Sequence, residues 1–166
     1  MDEAAILTQN FGTLAEILQS VAVILGVCMT LAGLFQLKKH GEQRTMMSTQ
    51  HSLTGPLMML LAGSMLLILP SFIGAIVLSF FGTTEPGAYS GNVSSYSSLL
   101  PPILMFVRVM GVGAFIRGIV LLSRVGGQHN QPGQLGKALM HILAGVLCVH
   151  IMGTVTLLED LLGLTN

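Results

Sequence analysis

Four long apolar stretches, at 17–37, 57–81, 99–122 and 139–158, alternate with polar connections at 38–56, 82–98 and 123–138. Each stretch, wound as a helix rising 1.5 Å per residue, is long enough to cross a hydrocarbon core of roughly 30 Å. The second contains no charge and the fourth only histidines. Ahead of the first, Ile6, Leu7, Phe11, Leu14, Ile17, Leu18 and Val21 recur at helical spacing, with Thr8, Gln9, Asn10, Thr13, Glu16 and Gln19 between them. That pattern predicts an amphipathic helix over 1–16, either lying in the outer interface or offering a docking face to a partner subunit. The expected fold is all-α, a polytopic membrane protein with four transmembrane helices arranged as two tandem repeated hairpins. A single membrane domain then comprises the outer-side helix at 1–16, a first hairpin at 17–81, an outer loop at 82–98, a second hairpin at 99–158 and an outer tail at 159–166.

The hairpins repeat in sequence. Gly26-Val27, Gly33-Leu34, Leu37, Lys39, Gly41 and Gln43 recur 85 residues later as Gly111-Val112, Gly118-Ile119, Leu122, Arg124, Gly126 and Gln128. Leu57-Met58-Met59-Leu60-Leu61-Ala62-Gly63 returns as Leu139-Met140-His141-Ile142-Leu143-Ala144-Gly145, with five of seven positions identical. The unit is an apolar helix, a basic turn and a second apolar helix, used twice. Internal duplication of this kind builds bundles and conduits.

Composition agrees: 8% of residues are charged, against about 25% in a typical soluble domain. The few charges also orient the chain. Lys38, Lys39 and Arg44 lie in the first turn and Arg124 and Lys137 in the third, with Arg117 just inside the same end of its span. Asp2, Glu3, Glu16, Glu85, Glu159 and Asp160 fall at the opposite ends. Cationic loops are retained in the cytoplasm, so both hairpin turns are expected there, with the termini and the 82–98 loop outside. The basic residues of the turns are candidates to face lipid headgroups or a lumen. Met1-Asp2-Glu3 lacks the basic start of a conventional signal peptide.

Small residues are the packing signal. Gly26 with Gly33, and Gly111 with Gly118, are seven apart and share a helix face, and Ala114 with Gly118 forms a small-xxx-small pair. Their partners lie either within one chain or in a second subunit. Pro70 is expected to kink the second span, and Pro101-Pro102 to begin the third helix.

Arg108 falls about 12 Å inside the outer end of the third span. A cation at depth costs at least ~2.5 kcal/mol unless it pairs, snorkels or meets water. Three surroundings satisfy it: an ion pair with Glu16, Glu159 or Asp160, a water-filled lumen, or a lipid headgroup. His141 and His150, nine apart, point to opposite sides of one helix and read as hydrogen-bonded packing residues, not as a shared metal site. Cys28 and Cys148 sit on separate spans and read as small apolar side chains. No nucleophile triad, phosphate loop or metalloprotease motif occurs, so no catalytic, cofactor or metal site is expected.

The second hairpin, Phe115-Ile116-Arg117-Gly118-Ile119-Val120-Leu121-Leu122, then Gly136-Lys137-Ala138-Leu139-Met140-His141-Ile142 and Gly145-Val146-Leu147-Cys148-Val149-His150-Ile151, resembles the IcmC (DotE) family. These are small inner-membrane components of the Dot/Icm type IVB secretion system, related to transfer proteins of conjugative plasmids. The first hairpin, from Gly33-Leu34-Phe35-Gln36-Leu37-Lys38-Lys39-His40 to Leu66-Leu67-Ile68-Leu69-Pro70-Ser71, is similar to the hairpin of IcmD-type proteins. The resemblance covers roughly residues 20–155. It implies a non-catalytic inner-membrane subunit that builds or braces a conduit for effector protein or DNA. It also implies neighbouring secretion subunits, a homo- or hetero-oligomer, contact with membrane lipids including anionic phospholipid, and no sequence-specific nucleic-acid binding. The hairpin topology is also analogous to the small pilins of type IV systems. A small channel or transporter, with Arg108 and the histidines lining a pathway, is the alternative.

Overall fold

The computed structural model describes residues 3–44, 53–82, 100–125 and 132–163. The 82–98 connection beyond Gly82, with Glu85, lies outside them, as do Asp2, Gly126 and Gln128. Among the described residues all regular structure is helical: α1 (Glu3–Arg44), α2 (Thr54–Leu67), α3 (Leu69–Phe81), α4 (Leu100–Ser123), α5 (Gln134–Val149) and α6 (Ile151–Leu161).

The chain enters α1 without a joint between the amphipathic segment and the apolar one. No proline interrupts these 42 residues, and the hydroxyls on the polar strip bond within the helix. Thr13 donates to the Gln9 carbonyl at 3.2 Å and Ser20 to that of Glu16 at 3.0 Å. The amphipathic helix expected at 1–16 is therefore, from Glu3 onward, the first part of one rod about 63 Å long. α4 begins as expected, with Pro101 and Pro102 in its first turn, where the missing donors are not needed.

Both returning helices are broken. α2 and α3 meet at 89°, and α5 and α6 at 98°. The first break lies at Ile68, two residues before Pro70, whose ring removes a donor and crowds the preceding turn. A right-angle turn exceeds the kink expected there. The second has no proline and was not expected: the continuous helix predicted over 139–158 stops at Val149 and restarts at Ile151. In consequence Glu159 and Asp160, expected in an outer tail, belong to α6. α1 and α4 are each long and apolar enough to cross a membrane, and the bent pairs raise the number of such segments to four if each pair is one span.

Glycine decides how the helices pair. α1 lies antiparallel on α2, and α4 antiparallel on α5. A Cβ at Gly26 would stand 3.0 Å from the Gly63 carbonyl oxygen and 3.0 Å from the Leu67 nitrogen; one at Gly111 would stand 2.9 Å from the Gly145 oxygen and 2.8 Å from the Val149 nitrogen. Gly33 faces Leu60 at 2.9 Å as Gly118 faces Ile142 at 2.7 Å. These contacts superimpose on the repeat, since Gly63 and Gly145, Leu67 and Val149, and Leu60 and Ile142 are each 82 residues apart. The break positions Ile68 and His150 are 82 apart too. The duplicated sequence is a duplicated structure down to the corner.

The two hairpins then pack side by side. Phe11 meets Phe106 edge-on at 5.5 Å, a Cβ at Gly12 would touch Met105, and Ala15 and Gln19 border the same cleft as Arg108 and Val112. The contacts advance together along both helices, so α1 and α4 run in the same direction. Phe115, Leu66, Leu69, Ile119 and Val77 are fully buried between them, with Phe72 tilted against Phe115 at 5.9 Å. The outward surface is also apolar: Phe35 is 70% exposed, Ile24 62% and Met110 60%. Water would penalise so much contiguous apolar area, and lipid would not.

Gly145→Leu forces a side chain into the α4 backbone, where Phe115 nitrogen lies 2.7 Å from the Cβ position. It is expected to destabilise the second hairpin by about 1–3 kcal/mol. Gly113→Leu, whose Cβ meets nothing within 4 Å, should be neutral. Thermal unfolding in mild detergent, read by circular dichroism, distinguishes the two, and equal melting would contradict the packing.

Candidate functional site

Between the two hairpins, where α3 turns across, lies an open cleft of about 270 Å³. α1 contributes Ala15 and Gln19, and α3 contributes Leu69, Pro70, Ile73, Gly74 and Val77. Arg108 and Val112 of α4 and Val149 at the end of α5 complete it. The α3 residues reach this space from beyond the break at Ile68, where the chain turns by 89°. Arg108 and Gln19 are the polar side chains in an otherwise apolar lining. Among the described residues Arg108 makes no ion pair with Glu16, Glu159 or Asp160. The structural ion pair, one of the three surroundings considered for Arg108, does not form among them.

The second corner is held by side chains. The His150 ring caps α6, its Nδ1 accepting from the Gly153 amide at 3.0 Å, which puts the proton of the neutral ring on Nε2. One face of the ring is covered by Phe81, stacked at 4.5 Å and 11°, so the end of α3 is tied to the α5–α6 corner. Thr154 donates to the Leu147 carbonyl at 2.8 Å, across the break, and to that of His150 at 3.0 Å. Backbone groups released by a broken helix need such partners where water is absent. Glycine is required at 153, because a Cβ there would run into the His150 ring and Phe81. His150 is thus hydrogen-bonded and buried, as its sequence context suggested, but it ends one helix and starts another. His141 bonds the Lys137 carbonyl through Nδ1 at 2.8 Å, one turn away on α5.

The other expected residues fall in two groups. Gly26, Gly33, Gly111 and Gly118 all press on helices of the same chain, with Ala114 half-buried between the last two. The contact with a second subunit is therefore not where these glycines act. Lys38 and Lys39 are exposed near the end of α1, Arg124 is exposed just past the end of α4, and Lys137 is exposed in the first turn of α5. Because α1 and α4 run in the same direction, these cations gather at one end of the molecule, together with Arg44, the last residue of α1. Lys38 lies 3.9 Å from Glu42, a solvated i,i+4 pair of little energetic weight. Arg117 is exposed on α4. No group of three or more His, Cys, Asp or Glu converges among the described residues.

Gln19, Phe81, Gly153 and Thr154 were not singled out from sequence. One signal pointed to the last two: carrying the kink expected at Pro70 forward by the 82-residue repeat offset lands on Met152, next to them. Nothing local marks Gln19 or Phe81, whose partners are far away in sequence.

Among the described residues these features define an all-helical fold whose apolar helices are consistent with a membrane setting. No protein-family model, curated protein or solved structure matches the chain.

His150→Ala removes both the α6 cap and the stacking on Phe81, at a cost of about 1–2 kcal/mol. The expected readout is faster amide hydrogen exchange across α6 in detergent, with α4 unchanged. His150→Asn, which caps but does not stack, should recover part of the protection. Unaltered exchange in His150→Ala would show that the ring does not hold the corner.

Proposed function

We propose that this protein is a four-span, non-catalytic subunit of a bacterial inner membrane, serving a type IVB secretion or conjugation apparatus. In this reading it forms or braces the conduit through which effector protein or DNA leaves the cell. The observation that carries it is the closure of each repeated hairpin by its own glycines. With the close contacts consumed inside the chain, the apolar outer faces of α1, α4 and α5 are left for lipid and for neighbouring subunits. The residues that resemble the IcmC family, Phe115–Leu122 and Gly136–Ile151 in particular, form the tighter part of that scaffold.

The common direction of α1 and α4 supports four crossings. Both helices start on the same side, so the chain between them must return, and α2 followed by α3 provides the return. The cations gathered at the far ends of α1 and α4 favour that end as cytoplasmic, with the termini periplasmic. Lys38, Lys39, Arg44, Arg124 and Lys137 then meet anionic headgroups of the inner leaflet. The partners are other secretion subunits in a homo- or hetero-oligomer, and cargo DNA is not read by sequence.

A small channel or transporter is the second reading, favoured by the Arg108 cleft. Against it, His141 is bonded to its own helix and His150 to the α6 amide, so neither joins Arg108 in one lining.

Two measurements test the proposal. In a variant lacking Cys28 and Cys148, cysteines at Gln43 and Asn130 should resist an impermeant thiol reagent in intact cells, and one at Gly91 should react. The reverse pattern would overturn the orientation. Purification in mild detergent should recover this chain with other secretion-apparatus proteins, and the purified chain alone should pass no ions or solutes in liposomes. Flux from the lone chain would replace the scaffold reading with the channel.

A further inference from the structure

We infer that the cleft beside Arg108 is a binding site for one anionic phospholipid, its phosphate on the Arg108 guanidinium and an acyl chain along Ile73, Val77 and Val149. This rests on the membrane reading above and adds a ligand to it. Four observations converge on that chemistry.

The first is the charge. Arg108 lies within a helix long and apolar enough to span a membrane, and it has no ion-pair or hydrogen-bond partner among the described residues. A half-buried cation in that position calls for an anion. Its planar, forked donors match the oxygens of a phosphate better than a point charge would.

The second is the lining. Apart from Gln19, whose amide can donate to the same phosphate, the walls are apolar, and no Asp or Glu borders the cleft. A free hydrated anion would leave those walls in contact with water. A lipid covers them with its own chain. The absence of a carboxylate from the lining disfavours a headgroup carrying its own ammonium, and so favours an anionic lipid over a zwitterionic one.

The third is depth. α2, with 14 residues, rises only about 21 Å before it breaks, and α5, with 16, about 24 Å. Both fall short of a core of roughly 30 Å, so the corners mark a layer just below the outer headgroups. Leu69, Pro70 and Val149, beside the corners, border the same cleft as Arg108, which places Arg108 in that layer. A lipid phosphate drawn slightly inward meets it there.

The fourth is the vacant space at Gly74. This glycine lines the cleft, and a Cβ added to it meets nothing within 4 Å. α3 could carry a larger side chain here without a clash. The volume, about 270 Å³, is close to the lower end for small-molecule sites, enough for a phosphate and the upper part of one chain, with the remainder in the bilayer.

The test is native mass spectrometry of the full chain released from nanodiscs of phosphatidylglycerol and phosphatidylcholine, equally mixed. The wild-type chain should retain one phosphatidylglycerol and little phosphatidylcholine. Arg108→Gln should lower phosphatidylglycerol retention by about fivefold, the weight of one charge near a lipid surface. Gly74→Leu, which adds bulk at the cleft wall where no atom lies within 4 Å of the new Cβ, should lower it similarly, while Gly113→Leu should not. If Arg108→Gln does not fold, Gly74→Leu decides the question alone. Equal retention by wild type and Gly74→Leu, or loss of the adduct to millimolar inorganic phosphate with no lipid retained, would overturn the site. Alkaline carbonate extraction separates this failure from the larger one. A wild-type chain that stays in the membrane but shows no lipid preference refutes the cleft alone, and a chain that washes off refutes the membrane reading with it.

Discussion

Everything else in this molecule depends on how closely two helix backbones approach at glycine. Lipid-facing helices gain nothing from hiding apolar surface from one another, because the solvent is equally apolar. Association must come from dispersion and polar contacts at short range. Gly26 against Gly63 and Gly111 against Gly145 allow that range, with the backbone of one helix at the Cβ distance of the other. The larger residues alongside, Leu60 and Ile142, then fill the grooves over Gly33 and Gly118. Each hairpin is in this way a closed unit, and the two are joined through Phe115, Leu66 and Ile119. The repeat has duplicated the contact that makes a hairpin, not only a hydropathy profile.

The corners are the second organising feature, and the repeats reach the same geometry by different chemistry. At Ile68 a covalent restriction does the work, since Pro70 offers no donor to the turn before it. At His150 hydrogen bonds do, with an imidazole capping the new helix and the Thr154 hydroxyl answering a carbonyl left open by the old one. Equivalent positions 82 residues apart thus diverged in residue type while keeping the bend. The bend has a consequence for function: α3 is laid over the junction of α1 and α4, and Phe81 at its end is stacked on the corner of the other repeat. α3, which follows that turn, also forms one wall of the cleft beside Arg108.

Charge is sparse enough that each site carries weight. The cations of the turns gather at one end because the two long helices run the same way, and this is where a negatively charged membrane surface would hold them. Arg108 stands apart from that group, near the opposite end and inside an apolar wall. An arginine retained at such a place carries a desolvation cost that ordinary packing does not repay, and a bound anion does.

The sequence by itself determined that the chain is helical and apolar along four stretches, that it is built twice from one hairpin, that its second apolar stretch bends near Pro70 and that its third helix opens at Pro101-Pro102. These are properties of neighbouring residues: periodicity, a missing amide proton, a ring that prefers a first turn. The continuity of α1 and the break at His150 were not read locally, the first because a polar strip on a helix looks the same whether or not the helix continues, the second because a histidine that caps and a histidine that packs have the same neighbours. Only the tertiary structure decided that Gly26, Gly33, Gly111 and Gly118 find their partners inside the chain, and that Gln19 and Arg108 border one space. Those outcomes depend on which helices lie side by side, in which direction and how closely, and residues 89 positions apart along the chain acquire that relation only when glycine lets the backbones meet.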